Sequence, residues 1–208
     1  MKKFKNSKKK FIYLISPNII SNNNFFKHLE EIFKTKKISF FQLRLKKTSK
    51  KKILAIGKKI KKICSNHKVK FIVNDDPFLA KKINADGCHI GQKDICIQKA
   101  RRILQKKIIG VTCHNSKKLI KKAIKGKADY IAIGAFFHSK TKKVKFKANL
   151  DLLKYAKKIT KIPIISIGGI NLNNYKKLLL NKSNFLAISG YVWKNKKYKP
   201  REAIEKLI

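Results

Sequence analysis

Eight short apolar runs, rich in β-branched and aromatic residues, recur along the whole chain at 11–15, 39–45, 70–74, 86–90, 108–112, 129–133, 162–167 and 185–189. Between them the apolar residues change to helical spacing. Ile53, Ile56, Ile60 and Ile63 form one such set, and Leu119, Ile120, Ala123 and Ile124 another. Regular alternation of strand and helix predicts a parallel sheet covered by helices. About eight such units without a linker or composition break predict a single-domain (β/α)8 TIM barrel over residues 11–208. A doubly wound open sheet is the alternative. Its dinucleotide-binding version is weakened because no G-x-G-x-x-G follows the first run.

The chain has 208 residues, with 54 Lys+Arg against 10 Asp+Glu and a formal net charge of +44. Such a charge raises the question of a nucleic acid or an anionic membrane as partner. The excess is nearly all lysine, however; the arginines are Arg44, Arg101, Arg102 and Arg201. Nucleic-acid readers favour arginine forks and stacking aromatics, which are not concentrated here. Lys, Asn, Ile and Phe are all abundant, the set that A/T-rich codons favour. The charge is therefore read as coding bias on solvated helix faces, with an incidental pull on phosphorylated small molecules. The lysine-rich segment 1–10 is set apart as a candidate disordered segment. The apolar run behind it, Phe11–Ile15, is too short for a signal peptide, and no stretch could span a bilayer. The expectation is a cytoplasmic, soluble protein with no specific nucleic-acid partner and no membrane partner; a homo-oligomer is compatible with the sequence. Cys64, Cys88, Cys96 and Cys113 form no C-x-x-C pair, so neither zinc nor disulfides are expected.

A barrel enzyme builds its site on the loops that follow its strands. Gln42, Arg44 and Lys46 alternate at the second exit, so their side chains are expected on one side. Asn74, Asp75 and Asp76 follow the third run, and Asp94 follows the fourth. Thr112 closes the fifth, "GAFFHSKTKK" at 134–143 follows the sixth, and "IGGI" at 167–170 and Ser189 close the last two. Asp75, Asp76, Asp86 and Asp94 fall at adjacent expected strand ends. Converging carboxylates among cations suit Mg²⁺, although Asp76 also reads as a helix cap and Asp86 as a turn residue. Gly168 and Gly169 open a helix where their N–H groups can face phosphate, or simply form a tight turn. No Ser-His-Asp or Cys-His set is apparent. His89 reads as packing beneath a strand exit, His28 and His67 as helix-surface residues, and His114 and His138 as loop residues without an assigned role. The residues alone thus suggest a Mg²⁺-dependent enzyme handling two phosphorylated groups.

"QLRLK" at 42–46, Asn74-Asp75, "DGCHIGQKD" at 86–94, "GVT" at 110–112, "GAFFHSKTK" at 134–142, "IGGI" and Ile188-Ser189 stand in a fixed order over most of the chain. In that order they resemble the thiamine phosphate synthase family. The resemblance implies a barrel transferase that joins a pyrimidine methyl diphosphate to a thiazole phosphate, releasing pyrophosphate. It implies that Gln42, Arg44, Lys46, Asn74, Thr112 and Lys142 hold the pyrimidine diphosphate, with Arg44, Lys46 and Lys142 stabilising the leaving charge. Asp75 and Asp94 would hold Mg²⁺, and Ser139, Thr141, Gly169, Ile188 and Ser189 the thiazole phosphate. Leu45 departs from the family's glutamate, Ala135 and His138 from its prolines, and Thr112 and Ser139 exchange one hydroxyl residue for another. "SGYVW" replaces a small apolar ending, which suggests a bulkier mouth. A thiazole tautomerase of the same superfamily is the near alternative, and a basic nucleic-acid-binding protein is the alternative of another class.

Overall fold

The structure is a computed structural model that describes residues 10–20, 24–138 and 146–207. Eight parallel strands close into a barrel in sequence order, each paired with its chain neighbour and the first with the last. They are β1 (Ile12–Ile15), β2 (Ile38–Leu43), β3 (Lys70–Asn74), β4 (Gly87–Ile90), β5 (Ile108–His114), β6 (Tyr130–Gly134), β7 (Ile164–Ile167) and β8 (Phe185–Ile188). Seven helices link consecutive strands: α1 (Asn24–Lys34), α2 (Lys50–Asn66), α3 (Pro77–Ile83), α4 (Ile97–Leu104), α5 (Lys117–Lys125), α6 (Leu150–Ile159) and α7 (Tyr175–Leu180). Two short ones, α8 (Gly190–Trp193) and α9 (Pro200–Glu205), follow β8. The open-sheet alternative is thereby excluded. Among the described residues no helix is long and apolar enough to cross a membrane.

Because successive strand side chains alternate in direction, the barrel has two cores. Outward residues such as Leu14, Phe41, Phe71, Val73, Ile131 and Leu186 pack with the apolar stripes of the helices. Inward residues, among them Tyr13, Phe40, Ile72, Ile108, Tyr130, Ile165 and Phe185, fill the barrel itself. Space for the Tyr130 ring comes from Gly110 on the neighbouring strand, where a Cβ would run into that ring. Lysines lie mainly on the outer helix faces, as the composition suggests. Helix starts follow local chemistry. Ser49, Ser116 and Asn149 accept the N–H groups of Lys52, Leu119 and Leu152, and Asp76 accepts that of Leu79 with Pro77 at the first helical position.

A three-fold recurring device ties the N-terminal face of the barrel. Asp86, just before β4, accepts from Phe71 N on β3 and from Lys61 Nζ on α2, at 2.9 and 2.8 Å. Asp129, before β6, accepts from Ile109 N on β5 and Arg101 Nη2 on α4. Asn184, before β8, accepts from Ile164 N on β7 and Lys157 Nζ on α6. Each device locks a strand to its neighbour and to a helix. Asp86 therefore belongs to the face opposite the site; its place at the start of β4, not the end, corrects the sequence expectation.

Candidate active site

Polar side chains gather at the C-terminal mouth because there the inward positions cease to be apolar. Gln42 ends the inward row of β2 and is buried. Its Nε2 donates to Asn74 Oδ1 on β3 at 2.6 Å, so the two amides form one fixed pair. Beyond Leu43 the chain leaves the sheet: Arg44 N donates to Ser16 Oγ, and Lys46 N to Asn18 O. The alternation expected through Lys46 thus stops at Leu43. Arg44 is nevertheless held at the mouth, its Nη1 donating to Asn18 Oδ1 at 3.2 Å, while Lys46 is exposed beside it. Leu45 packs against the outer core, so an apolar contact stands where the family carries an acid.

Asp75 and Asp94 approach the same strand exit from two sides. Asp75, with φ +66°, donates its N–H to His89 O at 2.7 Å, and Asp94 Oδ2 accepts from Gly91 N at 2.7 Å. Burial pushes the Cys88 thiol up, and the charges of Asp75, Asp76 and Asp94 push it further. Asp76 is occupied as the α3 cap and pairs with Lys50 Nζ at 2.9 Å. Asp75 and Asp94 are both exposed at the rim. Among the described residues no cluster of three or more metal-ligating side chains forms.

His89 was expected beneath the strand exit; the structure places it inside the barrel. Its Nε2 lies 2.8 Å from Thr112 Oγ1 and its Nδ1 2.9 Å from Tyr130 Oη, which is 2.8 Å from Tyr13 Oη. Burial pushes the imidazole down to about 4; Asp94 counters this and Arg44 adds to it, so the ring is neutral at pH 7. Neither tyrosine was singled out from sequence, because an inward tyrosine in an all-apolar strand cannot be told from an outward one. Of the other histidines, His28 pairs with Glu31, His67 caps α2 with its ring against Phe33, and His114 packs on Phe146.

On the opposite side of the mouth, Gly168 and Gly169 both have positive φ, +104° and +64°. The β6 exit lies directly over them: Phe136 N donates to Ile167 O and Phe137 N to Gly168 O, both at 3.1 Å. A Cβ on Gly169 would meet His138 O, so glycine is required here by close approach as well as by φ. Ser189 Oγ donates to Ser16 O at 3.2 Å. Ile188 is buried in the outer core, so only its main chain faces the mouth. Ser139, Thr141 and Lys142 lie outside the described residues. The two flanks of their loop are tied together, with Ala135 N donating to Phe146 O and Ala148 N to Ala135 O. Trp193 turns to α1 and does not add the bulk at the mouth expected from "SGYVW". Its Nε1 donates to Ile15 O at 2.6 Å and its ring packs on Phe25 of α1. A cleft beside it is lined by Pro17, Ile19, Ile20, Asn24, Phe25, His28, Trp193 and Pro200.

The family pattern described as thiamine monophosphate synthase matches residues 12–192, which includes every strand and both sides of this mouth. The chain belongs to the thiamine monophosphate synthase family. A thiamine-phosphate synthase of Pelagibacter ubique is 67% identical over 199 residues, covering 96% of each chain. That of Erythrobacter litoralis is 38% identical, covering 88% of this chain and 87% of its own. Among solved structures, a thiamine phosphate pyrophosphorylase from Pyrococcus furiosus superposes with a TM-score of 0.84 at 26% identity, covering 96% of this chain and 94% of its own. A 3-hexulose-6-phosphate synthase, at TM-score 0.66 and 12% identity, shares the barrel alone. The synthase family and the barrel expected from the ordered motifs are thus both found, and these relatives carry the synthase name.

Proposed function

We propose that the mouth of this barrel joins a pyrimidine methyl diphosphate to a thiazole phosphate, as a transferase of thiamine biosynthesis, and releases pyrophosphate. The observation that carries the assignment of sides is the separation of two rims on one mouth. Amides, cations and carboxylates stand at the exits of β2, β3 and β4; glycines and Ser189 stand at those of β7 and β8.

Among the described residues, the Gln42–Asn74 pair leaves one amide carbonyl and amide N–H groups without another partner. An aminopyrimidine edge presents an N–H donor beside a ring-nitrogen acceptor, which this pair complements. Arg44 and Lys46 then lie where the diphosphate would extend, with Thr112 on that side; Lys142 is assigned to it by the family resemblance. The backbone at Gly169 and Ile188, with Ser139, Thr141 and Ser189, would take the single phosphate of the thiazole. In the reaction the methylene C–O bond breaks, its electron pair leaving with the diphosphate. The thiazole nitrogen lone pair then forms the new C–N bond. That nitrogen carries no proton, so no general base is needed. The chain's contribution is alignment of the two rings and cationic stabilisation of the leaving group.

Asp75 and Asp94 fit Mg²⁺: they are hard oxygen donors, two in number, and Asp94 keeps an oxygen beyond its bond to Gly91. A site with two protein carboxylates leaves positions for diphosphate oxygens and water, the usual Mg²⁺ arrangement. The ion when bound would neutralise diphosphate charge. A cytoplasmic location accords with these phosphorylated substrates.

Substitution on the two rims should separate them. Arg44→Ala is expected to raise KM for the pyrimidine diphosphate roughly 10- to 100-fold, the worth of a charged hydrogen bond, with KM for the thiazole phosphate within about two-fold. Ser189→Ala should do the reverse, raising only the thiazole phosphate KM, by about 5-fold. Steady-state kinetics with each substrate varied in turn checks both, and equal effects on both substrates would refute the two-rim assignment.

A further inference from the structure

Four inward side chains form a column from the middle of the barrel to its mouth: Tyr13 on β1, Tyr130 on β6, His89 on β4 and Thr112 on β5. The separations are 2.8, 2.9 and 2.8 Å, and Tyr13, Tyr130 and His89 are 2, 1 and 9% exposed. The His89 and Tyr130 rings lie nearly parallel, at 16°. Hydroxyls and a neutral imidazole in a row can order their protons in two continuous ways, and the one other order, in which Tyr130 accepts from both neighbours, leaves its own buried proton unpaired. In the outward order Tyr13 donates to Tyr130, Tyr130 to His89 Nδ1, and His89 Nε2–H to Thr112 Oγ1. The Thr112 proton is then left to donate at the mouth. In the inward order Thr112 donates to Nε2, Nδ1–H donates to Tyr130, and Tyr130 donates to Tyr13. The Tyr13 proton is then left in the apolar barrel core, with no hydrogen-bond partner other than Tyr130 described for that hydroxyl. A buried hydroxyl proton without an acceptor carries the full desolvation penalty, so the outward order is favoured.

We propose that Tyr13 and Tyr130 hold His89 in the Nε2–H form, and that His89 thereby presents the Thr112 hydroxyl as a committed donor to an anionic oxygen of the pyrimidine diphosphate. His89 is a positioning residue: it acts through Thr112 and touches no reacting atom. This rests on the assignment of Thr112 to the diphosphate side. A committed donor suits an anionic oxygen and disfavours a ligand that would itself donate there. The arrangement also explains how threonine serves where the family carries serine, since only the hydroxyl takes part.

The test reads the proton directly. In protein labelled with ¹⁵N in its histidine rings, with His89 assigned by loss of its signals in His89→Gln, the outward order gives a protonated Nε2 and a bare Nδ1. Tyr130→Phe removes only a hydroxyl and should leave both forms populated. It should also raise KM for the pyrimidine diphosphate, by about two-fold where the two forms are equally populated, while Thr112→Val, which removes the donor itself, should raise it about tenfold; neither should change KM for the thiazole phosphate. The double variant should be no worse than Thr112→Val alone. A proton on Nδ1 in the wild type, or an unchanged ring in a folded Tyr130→Phe variant, would overturn the proposal. The wild-type spectrum decides if that variant does not fold. The expected tautomer with no KM effect from Thr112→Val would leave the column intact and overturn its link to the diphosphate. Wild-type protein that forms no thiamine phosphate would instead refute the underlying function, a result separable from the spectrum.

Discussion

Asp94→Ala is expected to lower turnover by at least about 10²- to 10³-fold, the loss seen when one electrostatic stabiliser of a transition state is removed. The unfolding transition should barely move. Asp94 is exposed, and the one hydrogen bond described for its carboxylate, from Gly91 N, closes the short turn Gly91–Asp94. Surface changes of this kind usually fall within about 0.5 kcal/mol. Asp94→Asn separates charge from shape: it can still accept from Gly91 N, yet it should lose nearly as much activity. Turnover measured with Mg²⁺ present, beside a thermal melt, checks both parts. Unchanged turnover would remove the metal role assigned to this residue.

Asp86, eight positions earlier, should behave in the opposite way. Asp86→Ala strips an acceptor from Phe71 N and a partner from Lys61, at the closed end of the barrel. Leaving a partly buried N–H and a half-buried cation unpaired costs about 2–4 kcal/mol, which for a chain of this size lowers Tm by roughly 5–15 °C. Activity per folded molecule should stay close to wild type. Burial pushes the Asp86 carboxyl up, but the hydrogen bonds from Lys61 and Phe71 N and the charges of Lys61 and Lys70 outweigh it and hold it below its usual range. A depressed folded value means that this contribution is complete above the unfolded value of about 3.9 and is lost as pH falls through the folded one. Stability should therefore drop on acidification below about pH 4. Asp86→Asn, which does not titrate, should flatten that part of the curve. A melt series against pH would show it, and an undiminished acid slope in the variant would assign the acid sensitivity elsewhere.

These two aspartates show what the sequence could and could not convey. Eight apolar runs fixed strand number and order, and β3 is found at the very residues expected. β2 stops two residues early because Arg44 N turns to a side chain, Ser16 Oγ, that only barrel closure brings near. The position of Asp75 and Asp94 at the mouth was legible because loops that follow parallel strands lie there, and that rule needs only the strand order. Asp86 was misplaced because it stands at the start of a strand, while the same sequence window ends in site residues. Tyr13, Tyr130 and the column through His89 were invisible for a different reason. Direction into or out of a barrel depends on register across strands distant in sequence, and wholly apolar strands carry no alternation to reveal it. The lysine excess, which dominates the composition, says least: it lies mainly on outer helix faces, and the site uses few of those charges.

The most direct measurement is of products. Purified protein is mixed with the aminopyrimidine methyl diphosphate, the thiazole phosphate and Mg²⁺, and thiamine phosphate and pyrophosphate are quantified together over time. The structure and its family predict both products in equal amounts, with none formed when either substrate is left out. Folded protein that yields no thiamine phosphate under these conditions would contradict the account.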